Sequence, residues 1–114
     1  MRSLSMVAVL LGALVWVASA GADDLELGRQ VYAKNCASCH GTDGKGNTKV
    51  EKMLKARIPP LANAATKADA GLLKLVSEGK KPMPAFATRL SKDELEAVVH
   101  FVKGLATGQV AGGK

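Results

Sequence analysis

Apolar positions recur at helical spacing along most of this chain, and no stretch alternates in the manner of a strand. The pattern predicts four helices. The first begins near Leu25, where Asp23 and Asp24 can cap it, and Leu27, Val31 and Tyr32 share its apolar face. The polar, glycine-rich "GTDGKGN" at 41–47 is a loop. A second helix, capped by Asn47 or Thr48, runs to about Arg57 with Val50, Met53 and Leu54 on one face, and Pro59 and Pro60 stop it. A third spans Asp69 to Glu78 with Leu72, Leu73 and Val76 inward, and Gly79 suits its left-handed end. Prolines 82 and 84 keep "KKPMPAF" out of any helix and make it an ordered loop. The last helix has the clearest start. Ser91 and Glu94 form a capping box, Leu90 and Leu95 stand at staple positions, and the helix reaches Val102 or Leu105.

The two ends do not fit this scheme. Arg2 precedes an uninterrupted apolar or small run from Met6 to Ala18, followed by the small-residue patterns "ASA" and "AGA". This reads as a secretory leader over 1–22, cleaved after Ala20 or Ala22. The run is short for a span, which wants about 20 apolar residues, so an uncleaved anchor is the lesser alternative. The folded domain is expected over 23–106, with 107–114 as a flexible tail.

Composition sharpens the picture in two ways. The 114 residues include 16 lysines and arginines against 10 acids, a net charge of +6, which favours solubility and steering toward acidic partners. The lysines are dispersed and stacking aromatics are scarce, so nucleic acid is not an expected partner. Once the leader is gone, the only large aromatics are Tyr32, Phe86 and Phe101. A domain of roughly 90 residues with so few needs another source of buried apolar surface.

The chemistry concentrates in "NCASCHG", residues 35–41, which holds both cysteines and one of the two histidines. A disulfide across two residues removes little chain entropy. A thioredoxin-like dithiol expects a βαβ setting that is missing. Structural zinc wants four ligands, and only His100 could join; it falls opposite the apolar stripe of the last helix and reads as solvated. At about 100° per residue, Cys36, Cys39 and His40 project from one helical face. Two thiols there can add to the vinyl groups of a haem, and the imidazole can reach its iron; Cys-x-x-Cys-His is the attachment pattern of c-type haem. The porphyrin would then be the missing core. For the second ligand, Met53 sits on a helical apolar face where methionine is ordinary packing. Met83 lies between two prolines that stiffen its loop, so it loses less entropy on binding and is the candidate.

"CASCHG", "MPAF" some forty residues on, and a closing amphipathic helix together resemble the class I cytochromes c, most closely the short bacterial kind. The resemblance covers nearly all of the chain after the leader. It implies an all-α fold of about four helices wrapped around one covalently bound haem c. It assigns Cys36 and Cys39 to thioethers, His40 and Met83 to the iron, and Gly28 and Tyr32 to a crossing with Phe101. From "PPL" it implies that the Pro59 carbonyl accepts from the haem-bound histidine and that Leu61 lies on the haem; Pro60 is a rival by one position. The implied function is that of a soluble periplasmic one-electron carrier, a monomer and not an enzyme, with no membrane insertion once the leader is removed. Its partners would be redox proteins, met through a rim drawn from Lys45, Lys49, Lys52, Lys55, Lys80 and Lys81. Two alternatives stand beside it: a haem-based sensor or peroxidatic protein with a labile methionine, and a fixed cytochrome subunit of a larger oxidoreductase.

Overall fold

A computed structural model describes residues 20–110 together with residue 12; the predicted leader thus lies almost wholly outside the described residues. Five α-helices follow in order: α1 (Ala20–Asn35), α2 (Ala37–His40), α3 (Thr48–Leu54), α4 (Asp69–Glu78) and α5 (Lys92–Thr107), with a 3₁₀ helix over Leu61–Thr66 between α3 and α4. Among the described residues the only β-type pairing is an isolated bridge between Lys80 and Met83. The all-α expectation holds.

The strongest start signal is realised in full. Ser91 accepts from the Glu94 N–H (3.2 Å) while the Glu94 carboxylate accepts from the Ser91 N–H (2.9 Å). Helix α4 keeps its predicted bounds and ends on Gly79 at φ 71°. Helix α1 starts upstream of the aspartates. Alanine favours helix strongly, Asp23 falls in its first turn, where a negative charge suits the dipole, and Asp24 is engaged elsewhere. Helix α3 is shorter than predicted. It ends at Lys55, which turns left-handed (φ 50°, ψ 39°), two residues before Arg57.

Two clusters make the polypeptide core. One joins Val31 and Tyr32 of α1 to Val98 and Phe101 of α5, with Leu27, Cys36, Leu61 and Leu90 packed around them. The other joins Ala64 of the 3₁₀ helix and Leu72 of α4 to Val99. Helix α5 is thus the spine against which α1, α4 and the 3₁₀ helix all lie. The α1–α5 crossing has no room for a side chain at its closest point. A Cβ on Gly28 would stand 2.3 Å from the Ala97 carbonyl oxygen and 2.8 Å from the Phe101 Cβ. One turn on, the Tyr32 and Phe101 rings meet with centroids 5.3 Å apart at 45°, a tilted aromatic contact.

The chain end is more ordered than a tail from residue 107 implies. Helix α5 continues to Thr107 and stops on Gly108 at φ 78°. The N–H groups of Gln109 and Val110 then donate to the Gly104 carbonyl at 2.9 and 3.1 Å, and Val110 packs back onto the first cluster. Residues 111–114 lie outside the described residues. Helix α3 also departs from expectation. Its Met53 is 76% exposed and its Leu54 42%, so the predicted inward face is uncovered by the described polypeptide. The cause is the way the helix is tied: Asn47 holds its start, and Glu51 reaches the Ile58 N–H at 2.8 Å.

Replacing Gly28 with alanine should gain about 1 kcal/mol of helix propensity and lose more to overpacking, for a net destabilisation of about 1–3 kcal/mol. Denaturant unfolding measures it; a more stable Gly28→Ala protein would contradict the close approach.

Candidate functional site

Cys36 interrupts what sequence periodicity reads as one helix. It sits at φ −119°, ψ −38°, and the four-residue α2 restarts behind it. Backbone bonds still thread the junction. Cys36 N–H donates to the Tyr32 carbonyl (2.9 Å), His40 N–H to Cys36 (2.9 Å), and Gly41 N–H to Ala37 (2.8 Å). Cys36 thus separates Ala37–His40 from α1, and the three chemical residues share one short turn at this junction. Gly41, at φ 81°, ends it, and a Cβ there would stand 3.0 Å from both Asp43 Oδ1 and the Gly46 carbonyl.

Three contacts hold that turn. The Tyr32 hydroxyl donates to the Gly41 carbonyl just past His40. Asn47 donates from its side chain to the Ser38 carbonyl (3.1 Å) while capping α3. Gly46 N–H donates to the His40 carbonyl (2.7 Å). The crossing of Tyr32 with Phe101 was implied by the family resemblance. The Tyr32 hydroxyl bond was not, because Gly41 is adjacent only through the turn at Cys36. Burial pushes the Tyr32 phenol above its usual range, with the sulfur of Cys36 a lesser cause.

The electrostatics of the turn are set by the partial burial of Cys36 and His40. Both cysteines are free thiols. Burial, and then proximity to Cys39, pushes the Cys36 thiol up to about 11. Burial holds the His40 imidazole below its usual range, so at neutral pH it is uncharged and keeps a lone pair for a metal. Its Nδ1 is buried and has no hydrogen-bond partner. An unsatisfied buried polar atom costs about 1–3 kcal/mol. The Pro59 hydrogen bond implied by the family resemblance is therefore not formed here. Pro59 and Pro60 are both exposed, and the Pro60 carbonyl instead accepts from Asn63 N–H at 3.2 Å. Leu61 is better placed: its N–H donates to Gly44 (2.8 Å), and it packs on the same cluster as Cys36. A neutral imidazole with an orphaned nitrogen, beside two unpaired thiols, fits a covalently attached haem.

Met83 stands on a separately anchored strap. Its N–H donates to the Lys80 carbonyl (2.8 Å), and Lys80 N–H returns to Met83 (3.1 Å). Beyond it, Phe86 N–H donates to Val76 (3.0 Å) and Ala87 N–H to Ser77 (3.1 Å), pinning the strap to the end of α4. Phe86 is buried, and the Arg89 guanidinium lies 5.7 Å from its ring centre. Gly79 closes the base. A Cβ there would come within 2.7 Å of the Met83 carbonyl oxygen, the Pro84 carbonyl carbon and the Ala85 nitrogen. Met83 is half-buried, whereas Met53 is neither packed, as predicted, nor braced. The structure packs Cys36 and Leu61 on one core cluster, sets Cys39 and His40 on the turn that follows Cys36, and ties the Met83 strap to α4.

His100 is exposed, as its register predicts, yet it is engaged. Its Nδ1 lies 2.6 Å from Asp24 Oδ2, and Asp69 of α4 pairs with Lys103 at 2.8 Å. This surface clasp joins α1, α4 and α5. Asp24 thus serves as a tertiary partner instead of the cap predicted for it. The six rim lysines are all exposed.

Comparison with known proteins agrees with this geometry. A family model described as cytochrome C oxidase, cbb3-type, subunit III matches residues 23–102. A chloroplastic cytochrome c6 of Chlamydomonas reinhardtii is 42% identical over 91 residues, which cover 79% of this chain and 60% of that protein. This chain therefore spans less than two thirds of that relative. The cytochrome c6 of Thermosynechococcus vestitus is 34% identical over 113 residues and covers 97% of both chains. Among solved structures, the KustC0563 c-type cytochrome superimposes with a TM-score of 0.59 at 28% identity, over 68% of this chain and 95% of its own.

Gly79→Ala should destabilise the protein by about 2 kcal/mol or more, since it adds a left-handed penalty to a backbone collision. A denaturant titration reads this; an unchanged midpoint would show that the strap is not braced from below.

Proposed function

This chain belongs to the class I c-type cytochromes, and from that premise we propose that it is a periplasmic one-electron carrier holding one covalent haem c. The observation that carries the reading is the Cys36–His40 turn: two unpaired thiols beside a buried, neutral imidazole with an orphaned nitrogen. Cys36 and Cys39 are the thioether positions. His40 and Met83 are the iron ligands, one on a turn held by Tyr32 and Asn47, the other on a strap held by α4. Bound there, the haem supplies a ferrous–ferric couple whose potential methionine ligation raises.

The polypeptide contributes restraint and exclusion of water. Both ligand residues sit on backbone tied by hydrogen bonds on either side, so neither has to reorganise when the charge between them changes. Leu61 and the Val31–Phe101 cluster present apolar surface behind Cys36, which disfavours a charged, open site. Leu61 is the residue we place on the haem face. Pro59 is the carbonyl we propose for His40 Nδ1 once haem is bound, a bond this structure does not form; the Pro60 carbonyl is already engaged by Asn63.

Export follows from the leader-like 1–22 segment, and no helix among the described residues is long and apolar enough to cross a membrane. The net charge of +6 and the exposed Lys45, Lys49, Lys52, Lys55, Lys80 and Lys81 favour brief encounters with redox proteins that present acidic faces. The protein is proposed to work as a monomer. The description of the matching family model, an oxidase subunit, is what favours the second reading, a cytochrome fixed in a larger oxidoreductase. Recovery from the periplasm as a soluble monomer decides for the carrier; recovery only within a membrane complex decides for the subunit.

Met83→Ala should keep the covalent haem, lose the weak ferric charge-transfer band of methionine ligation and fall in potential. An unchanged spectrum and potential would move the ligand elsewhere. Joint replacement of Cys36 and Cys39 by alanine should abolish covalent haem and leave little cooperatively folded protein, by haem stain and thermal melting. A sharply melting, helical, haem-free product would contradict the role given to the cofactor in the core.

A further inference from the structure

A cleft of about 660 Å³ opens on the side of the molecule formed by the 44–46 loop, α3 and the segment after it. Its wall carries four cations, Lys45, Lys52, Lys55 and Arg57, and one acid, Glu51. None of Cys36, Cys39, His40 and Met83 lines it. Among the described residues none of the four cations has a carboxylate within ion-pair distance. The one acid is already employed, because a Glu51 carboxylate oxygen accepts from the Ile58 N–H at 2.8 Å. Four like charges facing one gap repel each other, and an anion bearing more than one charge relieves that repulsion.

The backbone adds a second, independent sign. Lys55 is the only non-glycine residue at positive φ among the described residues. It occupies the left-handed position after α3 (φ 50°, ψ 39°), where glycine is the unstrained choice. Strained residues persist where the surrounding structure exploits them, and this one places a cation on the cleft wall.

The walls are built before any ligand arrives. Gly46 N–H donates to His40 (2.7 Å), Leu61 N–H to Gly44 (2.8 Å), and the Lys55 N–H closes on the Glu51 carbonyl. Binding would not have to order them first. Arg57 offers a planar fork suited to two oxygens of one oxyanion, and the lysines offer compact point charges around it.

We propose that this cleft is a binding site for a polyvalent, phosphate-type anion. It does not include Cys36, Cys39, His40 or Met83, and it shares Lys45, Lys52 and Lys55 with the rim proposed for protein partners. The test is an NMR titration of the ferrous, haem-loaded protein with inorganic pyrophosphate at constant ionic strength, beside the Lys55→Gly variant. That variant removes one cation and relieves the positive φ. It should melt no lower than the parent yet bind pyrophosphate about five- to tenfold more weakly, as loss of one near charge predicts. Saturable shifts at the Lys45 and Lys52–Ile58 amides in the parent, weakened in the variant, are the expected result. Shifts that grow without saturating, or equal affinity in the two proteins, overturn the proposal. If Lys55→Gly melts lower than the parent, Arg57→Gln takes its place under the same two criteria.

Discussion

The approach of α1 to α5 at Gly28 is the contact on which the rest of the molecule depends. A residue without a side chain lets two backbones come so close that a Cβ would collide with the Ala97 carbonyl. That approach seats Tyr32 on Phe101 one turn later. The seated ring then aims its hydroxyl at the Gly41 carbonyl, immediately past His40. The crossing therefore positions the Cys36–His40 turn through a single aromatic side chain. The other tethers of that turn come from Gly46 and Asn47, in the loop that follows it.

Local signals in the sequence were reliable where the relevant forces are local. The capping box at Ser91 and Glu94, the bounds of α4 and the glycine at its end follow from neighbouring residues alone, and all are present. The Cys-x-x-Cys-His spacing and the prolines around Met83 likewise marked the two halves of the candidate site. Signals that depend on partners distant in sequence were lost. Nothing near Asp24 shows that it will be taken by His100, 76 positions on. Nothing in a helical wheel shows that the helix will break at Cys36. Periodicity placed Met53 and Leu54 inward, yet amphipathic spacing states only that a face exists, not that this chain supplies the cover for it. The 3₁₀ helix over Leu61–Thr66 is alanine-rich and short, so it has no period long enough to register.

The two segments that carry the proposed iron ligands are restrained in different ways. The His40 turn is held from several directions at once, by a phenol, a side-chain amide and a backbone N–H. The Met83 strap is held by its own bridge to Lys80 and by two bonds to α4. Neither depends on the other within the polypeptide, so a group gripped by both would itself be the tie between the α1 side and the α4 side of the molecule. This suits a domain poor in aromatic residues, in which only α5 gives buried core residues to both polypeptide clusters.

The placement of Cys36 also bears on its reactivity. A thiol lifted to about 11 by burial offers almost no thiolate at neutral pH, and the thiolate is the reactive form. Cys36 is shielded because it packs on the cluster that α1 makes with α5. Chemistry proposed at this sulfur is therefore disfavoured once α1 is seated on α5.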